Sequence, residues 1–129
     1  MVVGPTPCSR NKRWAAFMSS SRRSSAGLVL GRYWDAARID AEIRQVADWA
    51  KQRNVPVICN EFGVHRPYAD PQDRARWITD VRTALEHHGM GWAMWDYSGN
   101  FGVVTKEDGK TRPDEITVKA LGLKVPAGQ

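Results

Sequence analysis

The sequence predicts an α/β fold in which helices and parallel strands alternate. Three observations predict it. Apolar residues recur at helical spacing between Asp35 and Asn54, and again between Asp70 and His88. Each stripe is followed by a short apolar run, residues 55–59 and then residues 91–96. The first run ends on a carboxylate, in Asn60-Glu61, where a strand made for a core would stay apolar. Helix–strand alternation of this kind joins parallel strands through crossover helices.

Residues 1–32 form an irregular basic segment. They carry Arg10, Lys12, Arg13, Arg22, Arg23 and Arg32 and no acidic residue. The remainder is nearly balanced, with 13 Lys or Arg against 14 Asp or Glu, so the basic character belongs to the N-terminal quarter. Such asymmetry can mark an arm for nucleic acid or membranes. The segment has few aromatics beyond Trp14 and Phe17 to stack on bases, so a solvated tail is expected and no nucleic-acid partner. No run approaches the ~20 apolar residues of a membrane-spanning helix, and no membrane partner is expected. Leu28-Val29-Leu30 is too short for the apolar region of a secretory signal, and the compartment stays unassigned. Cys8 and Cys59 have no metal-ligand spacing, and Cys59 reads as a small core residue. A disulfide between them is not expected, because Cys8 lies where no fold is evident.

A composition boundary falls near Gly31, and residues 33–123 form the patterned part. Ile39, Ile43, Val46, Ala47 and Ala50 share one helix face. Asp35 is a candidate N-cap, Asn54 can close the helix, and Pro56 stops it from continuing. Residues 55–59 then read as a strand buried on both faces. Asp70-Pro71 starts the next helix, with Trp77, Val81, Leu85 and His88 in one stripe beside Ile78 and Ala84. Gly89 ends it. Residues 91–96 read as a second strand, followed by the loop YSGNFG. Val103-Val104-Thr105 and the turn Glu107-Asp108-Gly109 predict a hairpin. Pro113-Asp114 opens a last helix bearing Ile116, Ala120 and Leu121, which ends at Gly122. Residues 124–129 are a frayed tail.

Two parallel strands cannot bury both faces of a sheet, and their open edges would template aggregation. The pattern is therefore expected to be one sector of a larger body. The alternative is a further strand from residues 26–30.

Ligands of parallel α/β folds gather at the C-terminal strand ends, where Glu61 sits. An ion-paired structural Glu is the competing reading. Trp92 and Trp95 are three apart and should point to opposite faces of a strand. One can pack on the helices while the other faces the strand mouth. An indole there offers a flat platform for the C–H face of a sugar, although core filling uses tryptophan as well. Neither glycine-rich phosphate motif occurs. His65, Tyr97, Asn100 and Phe101 lie in the loops beyond the strands and are candidate contacts to a sugar. His87 and His88 are adjacent on a helix and should not face each other, so no metal site is expected there. No cofactor is implied.

The stretches VADWAKQRNVPVICNEFGV and RARWITDVRTALEHHGMGWAMWDYSGNFGVV resemble the closing part of a family 5 glycoside hydrolase, the cellulase type. The resemblance covers about residues 33–123. Its motifs are P-V-x-x-x-E-F-G and, one helix later, G-W-x-M-W-D-Y. It implies a partial (β/α)₈ TIM barrel, with residues 55–61 as strand seven and residues 91–96 as strand eight. It makes Glu61 the catalytic nucleophile and Trp95 the platform under the sugar being cleaved; Tyr97 and His65 stay candidate substrate contacts by their place in the loops. The substrate implied is a polysaccharide or oligosaccharide of the β-glucan type. Retaining hydrolysis uses two carboxyl groups ~5–5.5 Å apart, one attacking the anomeric carbon and the other serving as acid and base. In the family the second belongs to an Asn-Glu pair on strand four, and a His and a Tyr come from strand six. Residues 1–32 contain no counterpart. Asp96, at the end of the last strand, is too near in the barrel to replace it. The expectation is half of a catalytic pair, completed by the missing part of the barrel. The alternative is a non-catalytic carbohydrate-binding remnant that uses Trp95 and residues 97–101.

Overall fold

The computed structural model describes residues 27–29 and 32–125. The expected basic tail up to residue 26, Cys8, the boundary at Gly31 and the end of the C-terminal tail lie outside the described residues. In chain order the elements are β1 (Gly27–Val29), β2 (Arg32–Trp34), α1 (Ala36–Arg53), β3 (Ile58–Phe62), α2 (Pro71–His87), β4 (Gly91–Met94), β5 (Val104–Glu107), β6 (Lys110–Pro113) and α3 (Glu115–Ala120). A single 3₁₀ turn, Arg66–Tyr68, follows β3.

The helix limits are set by local chemistry. Asp35 Oδ1 accepts from the Arg38 amide at 2.8 Å, satisfying one of the donors that the first turn of α1 leaves unpaired. Asn54 adopts the left-handed conformation (φ 51°), and its amide and that of Val55 return to carbonyls of the last turn. At the start of α2, Asp70 Oδ1 accepts from the amides of Gln72 and Asp73, and Pro71 occupies the first helical position. Gly89 (φ +66°) ends that helix.

The apolar stripes meet between the helices and behind the strands. Ile39 and Ile43 of α1 and Ile78, Val81 and Leu85 of α2 form a core with Phe62 of β3 and Leu121 after α3. Val46, expected on the buried face of α1, stands on its rim. The buried line of α2 also takes in Arg74, which the apolar pattern did not mark.

β3 and β4 pair in parallel, as the helix–strand alternation requires. Two expectations for β3 are corrected. The strand begins at Ile58 and not at Val55, because Pro56 has no amide for the ladder and restricts the residue before it. It is also not buried on both faces, since Ile58 is 62% exposed. The helices cover one face, but among the described residues only β4 flanks β3. β4 is shorter than expected and stops at Met94.

β5 and β6 form the predicted hairpin, with Asp108 and Gly109 both at positive φ in its two-residue turn. Pro113 belongs to the end of β6 and not to the helix that follows. Asp114 caps α3, which buries Thr117, Val118 and Ala120 and leaves Ile116 at the surface. β1 does form within residues 26–30, but it pairs antiparallel with β2 in a sheet of its own and does not join β3.

Candidate active site

The C-terminal ends of β3 and β4 lie side by side, and the pairing there is irregular. Cys59 pairs with Trp92 and Phe62 with Met94. Asn60 and Glu61 on β3 thus oppose the single residue Ala93 on β4. An extra residue of this kind bends the strand and re-aims its side chains. The strict alternation of a strand is lost, and Asn60 and Glu61 are both exposed. The ladder then closes again, with the Trp95 amide donating to the Phe62 carbonyl at 2.8 Å. The backbone of Trp95 is therefore fixed next to the residue that follows Glu61.

The two tryptophans differ in their surroundings. Trp92 packs edge-on against Phe62 at 5.7 Å, and its indole N–H donates to Glu86 of α2 at 3.1 Å. It belongs to the helix side. Trp95 is 51% exposed. The chain leaves β4 through a cis peptide bond between Trp95 and Asp96.

Gly63 explains why the strand must end in Phe-Gly. A Cβ at this position would lie 2.2 Å from the Trp95 carbonyl oxygen, well inside contact distance. The missing side chain lets the two strand ends approach each other. Sequence reasoning used this glycine only as part of a motif.

The loops beyond the strands meet over this edge. His65 stacks on Tyr68 at 5.1 Å and packs against Phe101 at 5.0 Å, so the loops after β3 and β4 touch. Tyr97 is 68% exposed, and its carbonyl accepts from the Val104 amide. Glu61 and Trp95 thus stand at two adjacent strand ends, and His65 and Tyr97 lie in the loops that leave them. Asp96 is half-buried, and its Oδ1 is buried without a hydrogen-bond partner.

Sequence reasoning missed the group that ties these loops down. The Arg66 guanidinium donates to the carbonyls of Gly99 and Gly102 and to Asp114 Oδ2. Its own amide donates to the Asn100 carbonyl at 2.8 Å. Asp114 Oδ2 also accepts from Arg74 at 2.8 Å and from the Thr117 hydroxyl at 3.1 Å. Burial opposes ionisation of Asp114. The hydrogen bonds from Arg74 and the Thr117 amide, with the charges of Arg74 and Arg66, outweigh it and hold the carboxyl below its ordinary range. One buried carboxylate therefore anchors both the last helix and the cation that grips residues 99–102.

The histidines at the end of α2 correct another expectation. His87 and His88 both reach Asp40 Oδ1 of α1. Side chains one apart diverge inside a helix, but His88 lies past the last helical residue and is released from that geometry.

Comparison with known proteins adds a family to this geometry. Residues 13–101, more than half of the chain, match the model of "Cellulase (glycosyl hydrolase family 5)". The match starts upstream of the stretch that carries the resemblance in sequence. Endoglucanase 3 of Fibrobacter succinogenes is 31% identical over 109 residues, which are 82% of this chain and 16% of that protein. Endoglucanase C of Acetivibrio thermocellus is 27% identical over 75 residues, 58% of this chain and 22% of that protein. Among solved structures, a hyperthermophilic endo-β-1,4-glucanase in complex with substrate superposes with a TM-score of 0.62 at 29% identity. The superposition covers 84% of this chain and 36% of that one. Cel5A of Thermotoga maritima superposes with a TM-score of 0.61 at 27% identity, over 71% of this chain and 30% of that one. The chain therefore spans about a fifth of the length of these curated relatives and about a third of these solved chains.

Proposed function

Because the chain belongs to glycosyl hydrolase family 5, the cellulase family, we propose that it carries the nucleophile half of a retaining glycoside hydrolase acting on a β-glucan. The observation that carries this reading is the exposed Glu61 on the irregular end of β3, with the backbone of Trp95 fixed beside it. Glu61 attacks the anomeric carbon as a carboxylate. The glycosidic C–O bond breaks, and the departing oxygen takes a proton from a second carboxylic acid. Water, activated by that second group, then releases the sugar from Glu61 with net retention of configuration. The second carboxyl comes from the part of the relatives' barrel that this chain does not span. Trp95 supplies a face for the sugar ring, and Tyr97 and His65 flank it. The exposure of Trp95 and Tyr97, and the packing of half-buried His65 against Phe101 in the loop after β4, support these roles.

An activated 2-deoxy-2-fluoro-β-glucoside tests the assignment, because its glycosyl-enzyme is slow to hydrolyse. The chain is incubated with it alone and together with the remaining barrel strands of a relative. One glycosyl adduct is expected on the peptide containing Glu61, and Glu61→Gln abolishes it. An adduct on another carboxylate, or none in the completed barrel, overturns the reading.

The exposure of Trp95 and Tyr97 also favours a second reading, a carbohydrate-binding remnant. It predicts retention on insoluble glucan, weakened by Trp95→Ala, with no reducing sugar released from the completed barrel.

A further inference from the structure

A separate cluster of ligating side chains lies on the helix layer and takes no part in the chemistry of Glu61. Asp40 stands in the second turn of α1, His87 is the last residue of α2, and His88 caps that helix. Asp40 Oδ1 is 2.9 Å from His88 Nε2 and 3.3 Å from His87 Nδ1. The three donor atoms lie within 4.8 Å of one another.

The spacing fits a metal shell. Around a tetrahedral zinc ion, with bonds of ~2.0–2.1 Å, neighbouring donors sit about 3.3 Å apart. One measured edge equals that value and the other is slightly shorter. The His87 side chain is 71% exposed, so its ring is free to turn and close the third edge. The ligand set also fits, because two imidazoles and a carboxylate suit borderline divalent ions and not calcium or magnesium, which take oxygen.

Charge points the same way. Without a metal, one carboxylate oxygen faces two imidazoles whose ring centres are 4.7 Å apart. Each imidazole must then present an N–H to the same oxygen, and protonating both would place two like charges side by side. One dication replaces both of those hydrogens. The histidines also lie at the C-terminus of α2, where free carbonyls favour a cation.

We propose that Asp40, His87 and His88 form a binding site for a divalent transition-metal ion of the zinc class, which joins α1 to α2 and keeps a water as its fourth ligand. The ion stabilises the helix layer by binding the folded chain, in which the ligands from the two helices converge.

The test uses the whole 129-residue chain without an affinity tag, stripped with a chelator, and zinc chloride as the probe. Calorimetric titration is expected to show one saturable equivalent. The melting temperature should rise by roughly 10 °C at a hundredfold excess over Kd and fall back when the chelator returns. Asp40→Asn and His87→Ala should each weaken binding by about tenfold or more, given that even outer-shell partners of a metal are worth 10–100-fold. His87 is largely exposed, so His87→Ala leaves the fold intact and carries the decision if other variants unfold. No saturable uptake, or uptake that His87→Ala leaves within threefold of the parent, overturns the site.

Discussion

The helix layer and the strand pair in front of it use the same apolar vocabulary and reach opposite ends. Ile39 and Ile78, on α1 and α2, are 1% and 0% exposed. Ile58, at the start of β3, lies mostly in solvent. Two helices close on each other through facing stripes, but a parallel strand is buried only when it also has strands on both sides. The helix side is therefore complete within the described residues, while the sheet side has one neighbour where its pattern calls for two. An apolar pattern reports what a segment is suited to touch, and the burial shows whether that contact is made.

The largest effect that could break this contrast concerns the polar support of the helix side. Arg74→Ala should cost about 3–5 kcal/mol, because it leaves the buried Asp114 carboxylate without the more deeply buried of its two cations. Urea unfolding measures it, and a loss below about 1 kcal/mol would mean that the network is slack. Next come two truncations of the same residue type. Ile78→Ala should cost about 2–5 kcal/mol, and Ile58→Ala should stay within about 0.5 kcal/mol. Equal costs would erase the distinction between the two regions.

Gly63→Ala should cost about 1–3 kcal/mol, since the added methyl must displace the Trp95 carbonyl. A shift in Trp95 fluorescence at unchanged helix content would place the damage at the strand ends. The pH dependence sharpens the picture further. Asp114 has a lowered folded pKa, so its contribution is fully present above the ordinary carboxylate value of 3.8 and is lost as pH falls through the lower folded value. Asp80 behaves oppositely: burial raises its pKa, so acid relieves a cost there. Denaturation midpoints should fall with acid in the parent and respond more weakly in Asp114→Asn. The smallest effect is local, with Asp35→Ala costing about 1 kcal/mol through the lost cap of α1.

Much of the helix layer was legible because its limits are set within a few residues. Asp35, Asn54, Asp70 and Gly89 act on neighbouring amides and carbonyls, and Asp108-Gly109 sets a turn by its own backbone preference. The neighbouring positions of Glu61, Trp95, Tyr97 and His65 were legible for a related reason, since parallel strands bring their exits together. Arg74 was not legible. It looks like a surface charge on α2, and its partner Asp114 is 40 positions away. Arg66 is equally silent in sequence, because two acceptors of its guanidinium, and the acceptor of its amide, are backbone carbonyls supplied by a loop fold. The Asp40 contact to His87 and His88 was missed because helical spacing was applied one residue beyond the end of the helix.

The surplus residue between Cys59 and Phe62 makes β3 a segment whose length matters as much as its composition. Deleting Asn60 would restore even pairing with β4 and carry the carboxylate at position 61 into a different place on the pleat. A library that varies side chains here can keep the edge intact, whereas one that permits a single-codon deletion would shift the acid with no substitution anywhere in the strand.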